Sequence, residues 1–371
     1  MKKIYLDNAA TTALDPQVLE AMMPYLLNHY GNPSSSHYAG REAKAGIESA
    51  RKSIALQIGA KSSRLIFTSG ATESNNLVFK FAQKDLGIQH VIVSPLEHHA
   101  VLYTAQQLFG SNVHYVSHSN SGEVDLLELE KLLVRFPNSL VSIMHANNEI
   151  GIINPIKEIS VICKKYHALL HSDTVQSIAH QTIDVENLGL DFMVCSAHKF
   201  HGPKGVGFLA MGKDFVLTAN QYGGTQEKNL RAGTENVASI VGMAKALELV
   251  LCNLEQNENH IKYLKKYLVK ELSQMNGISF NAHSDSELGI LPSILNINLP
   301  KDRYNEMTLF SLDLSGIAVS GGSACGSGAL KGSHVLSHLN PENNQVALRI
   351  SFSKFNTVEE LDYFMEVLKR I

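Results

Sequence analysis

Three side chains in the 371-residue chain occupy positions where they could take part in a reaction. Lys199 follows an apolar run in the sequence Ser-Ala-His-Lys, and Asp173 ends the run LLHSD. A lysine amine of lowered pKa forms Schiff bases, and a carboxylate can keep a pyridine-type nitrogen protonated. Cys325 lies between Ser-Gly-Gly-Ser-Ala and Gly-Ser-Gly, a flexible polar context that leaves a thiol accessible. The simpler alternatives are a solvated loop lysine and an aspartate that caps a helix.

Other segments could bind anionic groups. In FTSGATESNN (67–76), an apolar run ends in a glycine turn that opens a helix, and its amides with the Thr72 hydroxyl could hold a phosphate. An ordinary capped helix start is the alternative. The loop 223–234 offers hydroxyl, amide and guanidinium groups to an anion. Arg349 lies inside the apolar run ALRISF, where it needs either a substrate carboxylate or a structural salt bridge.

Two polar side chains follow further apolar runs. His98 comes just after HVIVS and could stack on a flat cofactor and move protons, although a structural histidine is the simpler interpretation. Asn148, in HANNEIG, could hydrogen-bond a ring substituent or the substrate. Together with the groups above they supply an amine, a ring-nitrogen carboxylate, a stacking ring, a phosphate site and a carboxylate clamp. This is the set that pyridoxal-phosphate chemistry needs.

The elements that must position these groups form an α/β pattern. Short apolar runs alternate with helical stretches, which predicts a mostly parallel sheet with helices on both faces. Ligands of such sheets gather beyond the carboxyl ends of the strands, where the polar residues above follow. The predicted strands are 65–68, 90–94, 113–117, 140–146, 169–173, 191–197 and 206–211.

The rest of the chain predicts a second, smaller α+β domain. A long helix is expected from about Val241 to Met275, followed by four strand-like runs and a last helix from Val358 to Ile371. We therefore predict a large cofactor-binding domain over 13–255 and a small C-terminal domain over 256–371, with residues 1–12 as an extended arm.

Composition limits the classes of partner. A net charge of −3 gives no reason to expect nucleic-acid binding, and no apolar run is long enough to span a bilayer. The N-terminus leaves no room for a signal-peptide core, so a cytoplasmic protein is expected. Cys163, Cys195 and Cys252 are expected to be packing residues, and no spacing indicates a metal site.

Ten motifs in order resemble the NifS/IscS family of cysteine desulfurases, within the class V aminotransferases of pyridoxal-phosphate fold type I. The resemblance runs nearly from end to end of the chain. The motifs are YLDNAATT (5–12), GNPSSSH (31–37), FTSGATESNN (67–76), EHHAV (97–101), HANNEIG (145–151), HSDTVQ (171–176), SAHKFHGPKGVG (196–207), GGTQEKNLRAGT (223–234), SGGSACGSG (320–328) and LRISF (348–352).

The resemblance implies a role for each matching residue. Lys199 would bind pyridoxal 5'-phosphate as a Schiff base and shuttle a proton, with His98 as a stacking acid or base. Cys325 would be the nucleophile, and Arg349 with Asn148 would hold the substrate. The other implied cofactor-binding residues are Ala71, Thr72, Asn148, Asp173, Gln176, Ser196, His198 and, from the neighbouring subunit, Thr234.

The activity implied is conversion of L-cysteine to L-alanine, with the sulfur passed as a persulfide to Cys325. A homodimer and a sulfur-acceptor protein, for iron–sulfur cluster assembly or for tRNA or cofactor thiolation, are further implications. Selenocysteine lyase and another class V aminotransferase are the alternatives, and Cys325 argues against the second. Some relatives carry a longer tail that docks an iron–sulfur scaffold, whereas this sequence ends at Ile371.

Overall fold

A computed structural model describes residues 3–305, 307–321, 332–340 and 345–371. The strands are β1 (Ile4–Tyr5), β2 (Leu65–Thr68), β3 (Val91–Val93), β4 (Val113–Tyr115), β5 (Leu140–Ser142), β6 (Leu169–Asp173), β7 (Phe192–Ser196), β8 (Gly207–Met211), β9 (Ser279–Phe280), β10 (Ile294–Leu299), β11 (Ile317–Ala318) and β12 (Val346–Ser351). The helices are α1 (Pro16–Leu27), α2 (Tyr38–Gln57), α3 (Ala71–Lys84), α4 (His99–Phe109), α5 (Leu126–Arg135), α6 (Ile156–Lys165), α7 (Val185–Leu188), α8 (Val237–Cys252), α9 (Leu254–Leu272), α10 (Thr308–Leu314), α11 (His334–Leu339) and α12 (Val358–Arg370).

The larger sheet has seven strands within the described residues, in the order β2-β8-β7-β6-β5-β3-β4. Only β8 runs against its neighbours, β2 and β7, while the other pairs are parallel. Most of these strands are buried along their length, and an apolar core lies on each face of the sheet. Covered faces explain why the strands are apolar runs rather than alternating patterns. The predicted α/β fold is confirmed.

A second core surrounds the antiparallel sheet β12-β10-β9. Leu264 and Leu268 of α9 and Phe364 of α12 are fully buried in it. The N-terminal segment joins this core, because β1 pairs in parallel with β11 and Leu6 accepts a hydrogen bond from the Ser351 amide. The predicted domain limits, with a division near residue 255, stay a prediction.

The single long helix expected over 241–275 is wrong. The chain forms α8 and α9 instead, with axes that differ by 72°. Asn253 between them has the non-helical angles φ −113° and ψ 18°, and its Nδ2 donates to the Leu249 carbonyl at 2.8 Å. This hydrogen bond satisfies an acceptor at the end of α8 and lets the chain turn.

Cys252 is exposed, so the expectation that it packs in the core is wrong, whereas Cys163 and Cys195 are buried as expected. It is the last residue of α8, whose inner face carries Met243, Leu247 and Val250. Two residues of a helix turn the side chain through about 200°, which places Cys252 on the outer face.

No single helix in the described part of the chain has the length and apolar character that crossing a membrane requires, although the bent pair α8 and α9 meets that test when taken together.

Candidate active site

A cleft of about 210 Å³ lies at the carboxyl-end edge of the larger sheet. The strands β2, β3, β5, β6 and β7 end at this edge because they run in the same direction. The cleft brings together ten predicted site residues from across the sequence. They are Ala71, Thr72, His98, Asn148, Asp173, Gln176, Ser196, His198, Lys199 and Arg349.

Asp173 is the last residue of β6 and is buried at the base of the cleft. Its Oδ2 accepts from Nδ2 of Asn75 at 3.0 Å, and its Oδ1 accepts from the Val175 amide at 3.1 Å. The second bond closes a turn: residues 175–180 form turns rather than a helix, so the helix N-cap that the simpler interpretation expected is wrong. The first comes from α3, so the carboxylate is fixed by two elements rather than only by its own turn.

Lys199 lies in a 3₁₀ turn that directly follows β7. Its Nζ donates to the carbonyls of Ala9 at 2.6 Å and Ala10 at 2.8 Å. Nε2 of Gln176 donates to the same Ala9 carbonyl at 2.9 Å. The amine is therefore half-buried and held by the N-terminal arm, which excludes the simple solvated loop lysine.

The anion site predicted at the start of α3 has a defined geometry. Gly70 precedes the helix with φ 151°, in the region that favours glycine, and an added Cβ would lie 3.2 Å from Oγ of Ser196. That Oγ accepts from the Ala71 amide at 2.7 Å. A helix N-terminus with hydroxyl groups beside it is suited to a phosphate.

His198 stands beside this anion site. Burial, with Lys199 and Lys204 nearby, lowers the pKa of His198 to about 4. Its Nδ1 lies 3.2 Å from Oγ1 of Thr11. The imidazole is therefore neutral near pH 7 and can contribute a hydrogen bond.

His98 lines the cleft and also begins α4 as its N-cap. Its Nδ1 accepts from the Ala100 amide at 3.1 Å, so a neutral ring carries its proton on Nε2. The adjoining Glu97 is fully buried, and its Oε1 accepts from the Met144 amide at 2.6 Å. Burial holds the pKa of the Glu97 carboxyl well above its ordinary value, and the charge of Asp173 raises it further.

Arg349 on β12 is 1% exposed and approaches the cleft from the smaller sheet. Its Nη2 donates to Oδ1 of Asp7 at 2.7 Å, and its Nη1 donates to the Asn148 carbonyl at 2.9 Å. Nε is buried without a hydrogen-bond partner in the described part of the chain. The structural salt bridge is thus present, and one donor of the guanidinium is still available to a ligand.

Two predicted site residues are not among the described residues that line the cleft. Cys325 lies outside the described residues. Thr234 is exposed and does not line the cleft of its own chain. In the loop that ends at Thr234, Arg231 pairs with Glu73 of α3 at 2.8 Å, so its guanidinium serves a carboxylate of the same chain.

Sequence reasoning missed the acidic and amide residues that support the cleft: Asn75, Glu97 and Glu149. Asn75 and Glu149 line it, and Glu97 is buried behind His98. Their sequence signal was available, since each stands in a polar segment that directly follows an apolar strand.

Comparison with known proteins identifies the family. The family model described as aminotransferase class-V matches residues 4–364. The cysteine desulfurase IscS of Dictyoglomus turgidum is 44% identical, covering 100% of this chain and 94% of its own length. The chain belongs to the IscS-type cysteine desulfurases of the class V aminotransferases. The family identified from the motifs is confirmed, and class V aminotransferases depend on pyridoxal phosphate, as the residues of the cleft predicted.

Other members extend the comparison to structure. The putative cysteine desulfurase IscS 1 of Bacillus subtilis is 40% identical over the full length of both chains. A solved structure described as a NifS-like protein superposes with a TM-score of 0.90 at 37% identity, covering 100% of this chain and 99% of that one. The fold and the family therefore agree over the whole length of the chain.

Proposed function

We propose that the chain acts as a desulfurase on L-cysteine, releasing L-alanine and leaving the sulfur as a persulfide on Cys325. The observation that carries this proposal is the cleft. Lys199, Asp173 and Arg349 come from three distant segments and line a single cavity. An amine, a carboxylate and a guanidinium are the groups that a cofactor ring and an amino-acid carboxylate require.

The donor set of the cleft fits pyridoxal phosphate. Asp173 would pair with the ring nitrogen, Gln176 with the ring hydroxyl, and His98 would lie against the ring. The phosphate would be held by Ala71, Thr72, Ser196 and the neutral ring of His198. When bound, the cofactor supplies an electron sink that stabilises negative charge on the substrate carbon.

The residues of the chain supply binding and proton transfer. Nε of Arg349 would bind the substrate carboxylate, with Asn148 beside it. Nζ of Lys199, once it is released from covalent bonding, would take the α-proton and return a proton to carbon. Nε2 of His98 carries the hydrogen of the neutral ring and can donate a hydrogen bond towards the substrate. Arg349 would thus hold the substrate carboxylate while Lys199 acts at the neighbouring α-carbon.

The transfer step is balanced without an external oxidant. The Cys325 thiolate attacks the substrate sulfur, an S–S bond forms, and the substrate C–S bond breaks. Its electron pair remains on the β-carbon, which takes up a proton to become the methyl group of alanine. Cys325 is four residues beyond Gly321, and the residue before Gly321, Ser320, is hydrogen-bonded to Arg349 of the cleft. An acceptor protein in cluster assembly or thiolation would then take the sulfur.

The experiment that tests the proposal compares the parent enzyme with Cys325→Ala and Cys252→Ala. The parent and Cys252→Ala should release alanine from cysteine. Cys325→Ala should retain the cofactor absorption band and lose alanine release. Alanine formation by Cys325→Ala at the parent rate would refute the role of Cys325, and none by the parent would refute the function.

We further propose that the active unit is a homodimer in which Thr234 reaches the cofactor phosphate of the partner subunit. Its exposure, away from the cleft of its own chain, supports this. Thr234→Val and Lys199→Ala chains can be combined in mixed dimers. If Thr234 acts across the interface, the site with an intact Lys199 receives the intact Thr234 of the partner subunit. Each mixed dimer then regains one site of parental cofactor affinity. If no such site is recovered, Thr234 does not act in trans. Cytoplasmic location stays a prediction.

A further inference from the structure

A second, smaller cavity, of about 30 Å³, adjoins Lys199. Three residues line both this second cavity and the cofactor cleft: Ala9, Gln176 and Lys199. The Ala9 carbonyl accepts from Nζ of Lys199 at 2.6 Å and from Nε2 of Gln176 at 2.9 Å. The hydrogen-bonded group that holds the amine therefore separates the two cavities.

The second cavity is lined by polar side chains that other side chains leave unsatisfied. His180 lines it, and neither ring nitrogen of His180 has a hydrogen-bond partner in the part of the chain that the structure describes. The same is true there of the side-chain amide of Asn257, which reaches the cavity from α9. A water site needs about 10–15 Å³ and at least two polar partners, so the second cavity can hold a water molecule between these groups.

The second cavity connects Lys199 with residues that contact solvent. Asn257 and Lys354, which also line it, are half-buried, so water in the cavity can exchange with bulk water. Burial lowers the pKa of His180 to about 4, and the neighbouring His201 lowers it further. The His180 ring is therefore neutral near pH 7, with one nitrogen that accepts a hydrogen bond and one that donates.

We propose that His180 and a water molecule in the second cavity form the route by which the amine of Lys199 exchanges protons with solvent. The inference rests on the proposed role of Lys199 in taking the α-proton. One proton leaves Nζ for the water, and one proton reaches solvent through the His180 ring, which accepts at one nitrogen and donates from the other. No electron is transferred. Because cofactor and substrate would occupy the cleft, a route on the other side of Ala9 stays open during the reaction.

The test follows a labelled proton in the full-length holoenzyme. Cysteine that carries deuterium at Cα is converted in ordinary water, and mass spectrometry measures the deuterium in the released alanine. Once Lys199 has taken the label, its ammonium group bears three hydrogens, so without exchange up to about one third of the hydrogens it first returns would be deuterium. We expect almost no deuterium in alanine from the parent and up to about one third in alanine from His180→Phe, which keeps a ring but has no ring nitrogen.

Asn257→Leu perturbs the same cavity from a different element, because it replaces a polar group of α9 by an apolar one. Its alanine should retain deuterium as in His180→Phe. The matched control is Asn259→Leu, two residues further along α9, which is exposed and is not among the described residues that line the second cavity. Its alanine should contain as little deuterium as that of the parent. All three variants should keep the parent cofactor band, because none of the changed residues is among the described residues that line the cofactor cleft.

A crystal structure of the parent holoenzyme gives a readout that does not depend on turnover. It should contain a water molecule within about 3 Å of a His180 ring nitrogen, and His180→Phe should lack that water. A dry cavity in the parent would refute the route, as would unlabelled alanine from both cavity variants or retained label in the parent.

Failure of the proposed function gives a different result, because the parent would then release no alanine from cysteine. L-Alanine, which has no sulfur to transfer, would then be the probe. Exchange of its α-hydrogen in heavy water, followed by NMR, should be slower in His180→Phe and Asn257→Leu than in Asn259→Leu. Equal exchange rates in the three variants would refute the route.

Discussion

The sharpest prediction concerns the guanidinium of Arg349. Arg349→Lys retains the positive charge but removes the Nε donor that would bind the substrate carboxylate, so that carboxylate loses a hydrogen bond. A hydrogen bond between charged groups contributes about 1.5–3 kcal/mol, which predicts a loss in kcat/KM for cysteine of about 10- to 150-fold. Because the lost bond is present in both the bound substrate and the transition state, the change should be mainly in KM.

A control for this prediction exists in the same chain. Arg64 donates to both carboxylate oxygens of Asp214, at 2.9 Å and 2.7 Å, and to the Gly212 carbonyl at 2.7 Å. Like Arg349, Arg64 donates to an aspartate carboxylate and to a backbone carbonyl, but it does not line the cleft.

The assay is steady-state alanine formation over a range of cysteine concentrations, with the cofactor band and the melting temperature recorded for each variant. Arg64→Lys should keep the parent KM. If Arg349→Lys keeps both its cofactor and the parent KM, Arg349 does not bind the substrate, and its buried pair with Asp7 is purely structural.

Three further predictions test the site and its support. In Lys199→Ala, treatment with borohydride should no longer attach the cofactor covalently to the chain, and mass spectrometry would detect the adduct if it formed. An unchanged covalent adduct would contradict the assignment of Lys199. Arg51 and Glu227 form a buried pair at 2.7 Å, so Arg51→Ala should lower the free energy of unfolding by about 3–5 kcal/mol, measured with urea. Adding Glu227→Gln to Arg51→Ala removes the unpaired buried charge of Glu227 and should recover part of the lost stability. If no stability is recovered, the unpaired charge is not the cause of the loss. His171 is fully buried, and burial lowers its pKa to about 3 from the ordinary 6.5. Between pH 6.5 and pH 3, His171 is protonated in the unfolded chain but neutral in the folded one. The contribution of His171 to stability is therefore complete above about pH 6.5 and is lost as the pH falls towards 3, at up to about 1.4 kcal/mol per pH unit. His171→Gln should show a shallower pH dependence of unfolding between pH 6.5 and 5, and an equal slope would contradict it.

Much of the fold could be predicted because buried parallel strands leave a direct signal in the sequence. The predicted strands 65–68 and 169–173 have the predicted bounds, and the strand predicted over 191–197 is found at Phe192–Ser196. The break between α8 and α9 could not be predicted, since apolar spacing continues through Asn253. A turn there depends on which core each helix packs against, and that is a property of the tertiary structure.

The candidate site shows the same division. Residue type and position after a strand made Lys199, Asp173 and His98 candidates, and they line one cleft because the carboxyl ends of parallel strands meet at one edge. The supporting residues Glu97 and Glu149 were missed. Their burial depends on contacts with Met144 and Ser333, which are distant in the sequence.

The family, the α/β class and the chemical types of the reacting groups could be read from the sequence, because each follows from local motifs and strand patterns. Only the tertiary structure decided that the N-terminal arm holds Lys199, that Arg349 reaches the cleft from the other sheet, and that Cys252 is exposed. These depend on packing between segments far apart in the chain, and no local pattern encodes the distance between two such segments.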